Sequence, residues 1–82
     1  MDNNELTDFS KLTEVTAENI KDDNRNVSVG EHLIVNKAEN STFIVKTGAK
    51  LTLVESKGCK IFWQNDSKVD LQNDSNSVLQ EV

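Results

Sequence analysis

EHLIVNKAENSTFIVKTG (Glu31 to Gly48), AKLTLVESKGCKIFWQND (Ala49 to Asp66) and SKVDLQNDSNSVLQEV (Ser67 to Val82) are three writings of one pattern with a period of eighteen residues. Laid out as rows, they agree column by column in physical type. Leu33, Leu51 and Val69 share a column, Val35, Leu53 and Leu71 a second, and Phe43, Ile61 and Leu79 a third. Leu33 and Val35 are two positions apart, as are Leu51 and Leu53, which places both side chains of a pair on one face of an extended strand. The segments that carry them, LIV, TFIVK, KLTLV and KIFWQ, are rich in β-branched and aromatic residues and have no helical period, so they read as strands of about five residues.

The turn residues repeat with the same period, and a matched turn residue is rarer by chance than a matched apolar one. Gly30, Gly48 and Asp66 fall in one column, and Asn40, Gly58 and Asn76 in another. Glycine, asparagine and aspartate enter the positive-φ region at the least steric cost, so both columns mark corners. A column of small residues, Ser41, Cys59 and Ser77, follows the second corner. Each row therefore reads corner, strand, corner, strand.

That order predicts an all-β fold, a small β-solenoid of three to four eighteen-residue coils with an N-terminal cap, its sheets roughly 10 Å apart and its coils about 4.8 Å apart. The alternative is an antiparallel β-meander in which KTGAK, ESKGCK and QNDSK each close a hairpin. Hairpins do not require identical spacing between alternate strands. A solenoid does, because each coil sets its corners over those of the coil beneath. The stretch from Thr42 to Leu53, TFIVKTGAKLTL, resembles the coils of bacterial and phage β-helix proteins, in which a strand, a Gly-containing corner and a second strand recur. The resemblance covers about fifty residues and is to the architecture as a whole, so it implies a β-helix and assigns no activity to any residue. The Gly-punctuated pattern of the polymer-forming bactofilins is not matched. The apolar hexapeptide period of left-handed helices fails at Glu39 and Lys57, and the Gly- and Asp-rich nonapeptides of calcium-binding rolls are missing.

Residues 13 to 30 fit the same grid as a degenerate first coil, with Val15 under Leu33, Ala17 under Val35, Asp22 under Asn40, Val27 under Val45 and Gly30 under Gly48. A short helix from about Ser10, with Leu12, Val15 and Ala17 inward, competes with it, but Thr13, Val15 and Thr16 are poor helix formers. Residues 1 to 12, with Leu6, Phe9 and Leu12, are expected to be an N-terminal cap or a frayed segment, and residues 13 to 82 the solenoid domain. Asp70, Gln72, Asn73, Asp74, Ser75 and Asn76 make the last row the most polar, as a terminal cap should be.

Eighty-two residues make one domain with a thin core. Fourteen acidic residues against nine basic ones give a net charge of -5, which opposes binding to a phosphate backbone or an anionic bilayer, so neither nucleic acid nor membrane is expected as a partner. One cysteine and one histidine cannot build an internal disulfide or a four-ligand zinc site, and no metal or cofactor is expected. Residues 1 to 30 lack the basic start and apolar stretch of a signal peptide, which points to the cytoplasm or to a virion assembled there.

Chemistry is sparse. His32 begins a strand in the column of Lys50 and Lys68 and reads as an outward, solvated residue, since acid or base catalysis needs a positioned partner. Cys59 lies between Ser41 and Ser77 in its column, where small size accounts for it, and no base is indicated for a nucleophile. Asp22, Asp23 and the two NDS segments are loop residues too few for a calcium cage. The expectation is a protein that is not an enzyme.

Trp63 alternates inward with Ile61, which leaves Phe62 outward in the column of Ile44, and Ile34 outward on the other strand set with Thr52. A strand buried on one face should be polar on the other. Ile34, Ile44 and Phe62 break that rule and are the expected partner interface, for a second copy of the chain or for a larger assembly, with the N-terminal segment folding back over some of them as the alternative. The function expected is a structural or assembly module presenting a rigid β surface, in a virion or polymer for instance. The alternative is a small acidic regulatory or immunity-type protein that masks a basic partner.

Overall fold

A computed structural model describes residues 11–82. The described residues form eight strands: β1 (Thr13–Lys21), β2 (Asn24–Val27), β3 (Glu31–Glu39), β4 (Thr42–Val45), β5 (Lys50–Lys57), β6 (Lys60–Trp63), β7 (Lys68–Ser75) and β8 (Val78–Glu81). They sort into two four-stranded sheets, sheet 1 in the order β1-β3-β5-β7 and sheet 2 in the order β2-β4-β6-β8. All the pairings are parallel and each joins residues one period apart, as in Val15↔Leu33, Leu33↔Leu51 and Leu51↔Val69. This is a β-solenoid of about four turns, with no helix among the described residues. A meander would have paired neighbouring strands antiparallel, and the helix considered from about Ser10 gives way to β1, whose threonines and valine suit a strand. The cover expected from residues 1 to 12 lies largely outside the described residues.

The corners are made by backbone conformation that the turn columns foreshadow. Gly30, Gly48 and Asp66 have φ of 83°, 83° and 60°, and Asp22, Asn40, Gly58 and Asn76 have φ of 54°, 51°, 61° and 61°. Asparagine and aspartate tolerate this region because a short polar side chain can bond locally. Here Asn40 Nδ2 donates to Asp22 Oδ1 at 2.7 Å, one coil below.

Strand lengths depart from the expected five residues. The strands of sheet 1 run eight or nine residues and those of sheet 2 four. Each long strand contains a further corner: Glu18, Asn36, Val54 and Gln72 drop out of the ladder, and inward alternation steps by three, from Val35 to Ala38 and from Leu53 to Ser56. The step adds an inward column, Ile20, Ala38, Ser56 and Asp74. No glycine or positive-φ residue marks this corner, which is why the turn columns do not reveal it.

The core lies in the two middle coils, where Val35, Phe43, Val45, Leu51, Leu53 and Ile61 are fully buried. Trp63, Val69 and Leu71 pack against it from the last coils while remaining partly open. Small polar groups complete the stack. Ser41 Oγ donates to Glu39 O at 2.9 Å and accepts the Asp23 N–H at 3.3 Å, and the Cys59 N–H donates to Ser77 Oγ at 3.1 Å. Where the added column turns polar, Ser56 Oγ donates to Asp74 Oδ1 at 2.7 Å, so the buried hydroxyl has an acceptor.

Candidate functional site

The outer face of sheet 2 is the candidate surface. Parallel register sets Ile44 directly opposite Phe62, and Lys60 opposite Val78. Neighbouring strands lie about 4.8 Å apart, so Ile44 and Phe62 form one apolar step that Val78, 56% exposed, extends on the diagonal. The inward partners of this face, Phe43, Val45 and Ile61, are fully buried, and that anchors the strands that display it. No carboxylate stands at an outward position of β2, β4, β6 or β8; Glu81 belongs to the inward column of Val45 and Trp63.

Ile34 is elsewhere. It stands on the outer face of sheet 1, opposite Thr16 below and Thr52 above, half-buried and away from Ile44 and Phe62. The three expected interface residues thus occupy two faces, and only Ile44 and Phe62 are brought together.

The same outer face of sheet 1 carries the most chemical cluster in the fold. His32 is not the solvated residue its sequence position implies: only 14% of its side chain is exposed. Its Nε2 lies 2.8 Å from Thr52 Oγ1 and its Nδ1 3.9 Å from Glu14 Oε2. Burial, and then the Lys50 ammonium, hold its pKa below the ordinary value of 6.5, with Glu14 and Asp70 opposing. Hydroxyl, imidazole and carboxylate in a row are the order of a nucleophilic triad. Thr52, however, is buried, and the Glu14 contact is longer than a hydrogen bond. Glu14 and Lys50 stand opposite His32 on the rungs below and above it, so its surroundings depend on neighbouring coils and not on its own column position.

Two grooves flank these faces. A polar, open one of about 640 Å³ runs along the second segment of sheet 1, beside Lys37, Glu55, Ser56 and Asp74. The other, of about 460 Å³, opens at the C-terminal end between Trp63, Val69 and Leu79. Neither is lined by His32 or Thr52. Serine hydrogen bonds hold the Asp74 carboxyl below the usual carboxylate range, that of Ser77 more than that of Ser56. The Arg25 guanidinium, 3.0 Å away, and the Asn24 N–H do the same for Asp23. Cys59 is buried and free. Among the described residues no three His, Cys, Asp or Glu side chains group as metal ligands, and no helix is long and apolar enough to cross a membrane.

Fold and surface together define a parallel β-solenoid with one acid-free, partly apolar face. Comparison with protein-family models, curated proteins and solved structures finds no match to the chain.

Proposed function

We propose that this chain is a non-enzymatic assembly module, a short rigid solenoid that uses the outer face of sheet 2 to associate with itself or to dock into a larger assembly such as a virion or a cytoplasmic polymer. One observation carries the reading: Ile44 and Phe62 stand in register on a face without a carboxylate, in a chain that has fourteen acidic residues. A half-buried sheet normally shows polar residues to solvent, and the centres of protein interfaces are enriched in aromatic residues and depleted in charge. Eighteen-residue stacking supplies rigidity, because Ile44 stands between the fully buried Phe43 and Val45 and Phe62 follows the fully buried Ile61. Phe62→Asp tests the proposal, since it places a charge at the centre of the face and leaves the core untouched. Sedimentation and chemical crosslinking are expected to show an associated wild type and a dissociated variant. A wild type that is monomeric at all concentrations and binds no partner would overturn the reading.

A second reading draws on where the carboxylates gather. Glu14, Glu18, Asp22 and Asp23 are all exposed on the first coil, an acidic edge suited to masking a basic protein. Such binding weakens as salt rises, whereas apolar docking through Phe62 does not.

A further inference from the structure

We infer that the two ends of the solenoid are complementary and that the open C-terminal coil receives the first coil of a second copy, head to tail. The inference rests on the reading above only in that the chain associates with itself, and it places a contact at the coil ends and not on sheet 2. β1 and β2 at one end, and β7 and β8 at the other, are the outer strands of their sheets, with backbone groups directed along the solenoid axis and unpaired within the ladder. The inward columns are partly open at both ends: Val15 is 42% exposed at the first, where Ile20 and Val27 are buried, and Leu79 45% at the last, where the groove beside Trp63 opens.

Column chemistry selects the occupant. Continuing the eighteen-residue register by one coil sets the second copy's Val15 over Val69 and its Ala17 over Leu71, which extends two apolar columns. It sets the second copy's Asp22 over Asn76 and its Asp23 over Ser77. Within the chain these two columns are already joined, by Asn40 Nδ2 donating to Asp22 Oδ1 at 2.7 Å and by the Asp23 N–H donating to Ser41 Oγ at 3.3 Å. At the junction the Asp22 carboxylate lies over the Asn76 amide, and the Asp23 carboxylate takes the place that Ser41 Oγ has over the Asp23 N–H and Ser77 Oγ over the Cys59 N–H, as an acceptor for the Ser77 N–H. Arg25 of the incoming coil also lies on the diagonal from Glu81. Two features limit affinity: Asp74 comes beneath Ile20, and each end coil carries two more acids than bases. Screening by salt therefore strengthens this contact, the opposite of what masking a basic partner requires.

Glu18 and Gln72 occupy the exposed corner column outside the ladder, so Glu18→Cys with Gln72→Cys in one chain places two thiols about 4.8 Å apart in backbone terms across the junction, within disulfide reach. Air oxidation of the purified full chain is expected to yield dimers, trimers and higher species on a denaturing gel, and neither single variant to grow beyond a dimer. In sedimentation, Val15→Arg and Leu79→Arg are each expected to stop growth of the wild-type mass with concentration, and their mixture to form a discrete dimer, with circular dichroism confirming the fold. A monomeric wild type, or a double-cysteine variant no more extended than the singles, overturns the inference. So does growth blocked by Leu79→Arg but not by Val15→Arg, which means a tail-to-tail contact. If Phe62→Asp alone blocks growth, assembly through sheet 2 stands and the end contact falls.

Discussion

Asn40 and Asp22 occupy the same corner on successive coils, both at positive φ, and are joined by a 2.7 Å hydrogen bond from the amide to the carboxylate. Gly58 and Asn76 continue that column, and nothing lies within 4 Å of where a Cβ at Gly58 would stand. The corner therefore constrains backbone conformation and not space. Gly58→Asn is expected to cost little, because asparagine already holds this conformation on the coils either side. Gly58→Val, with a β-branched residue forced to positive φ, is expected to lose about 1–3 kcal/mol in urea unfolding. Equal stability of the two variants would remove the conformational account of this corner.

Cys59 stands in the serine column, 1% exposed, with its Sγ 3.7 Å from Lys57 O, where Ser41 Oγ makes a 2.9 Å bond to Glu39 O. Cys59→Ser is expected to fold with a thermal midpoint within a few degrees of wild type, corresponding to about 1 kcal/mol or less. Cys59→Leu should be far worse, since added methylenes in a packed column cost about 1–3 kcal/mol. A thiol reagent should label the native protein much more slowly than the urea-unfolded chain, and labelling at equal rates would contradict the burial.

Most of this fold is legible in the residues because a solenoid repeats its constraints. Leu33, Leu51 and Val69 share a column since their strands stack in register, and Gly30, Gly48 and Asp66 share one since each coil must turn at the same place. The corner at Asn36 and Val54 escaped because ordinary φ values suffice there, so no special residue records it. Its consequence, the inward column Ile20, Ala38, Ser56 and Asp74, was hidden by its gradation from apolar to charged. Of the surface, Ile44 beside Phe62 follows from the period alone. Ile34 on the other sheet follows from the rows too, since it precedes the second corner, but that His32 is covered depends on neighbouring rungs, which the columns taken singly do not contain.

The distribution of burial predicts unequal effects within a single apolar column. Phe43 is fully buried and Leu79 45% exposed, although they occupy equivalent positions two coils apart. Phe43→Ala is expected to cost roughly 3–5 kcal/mol, enough to bring so small a domain close to unfolding at room temperature. Leu79→Ala should cost the monomer much less, because its side chain is not surrounded. Chemical denaturation of both variants at low protein concentration checks this, and comparable losses would mean that the last coil is as closed as the middle ones.

His32 sets the pH dependence of stability near neutrality. Its folded pKa lies below the ordinary 6.5, chiefly because its ring is covered and secondly because Lys50 is near. Between those two values the unfolded chain binds a proton that the folded chain does not, so stability rises with pH there. The contribution is fully present above pH 6.5 and is lost as pH falls toward the folded pKa. Asp23 and Asp74 act in the same direction but only near and below their ordinary 3.8, so they do not confuse the window from pH 7.5 to 5. Urea midpoints of the wild type are expected to change little from pH 7.5 to 6.5 and to fall below that. His32→Gln, which keeps a polar side chain that can reach Thr52 and has no titrating group, should flatten the slope. A variant with the wild-type slope would show that His32 is solvated in solution and that its contact with Thr52 does not hold the ring neutral.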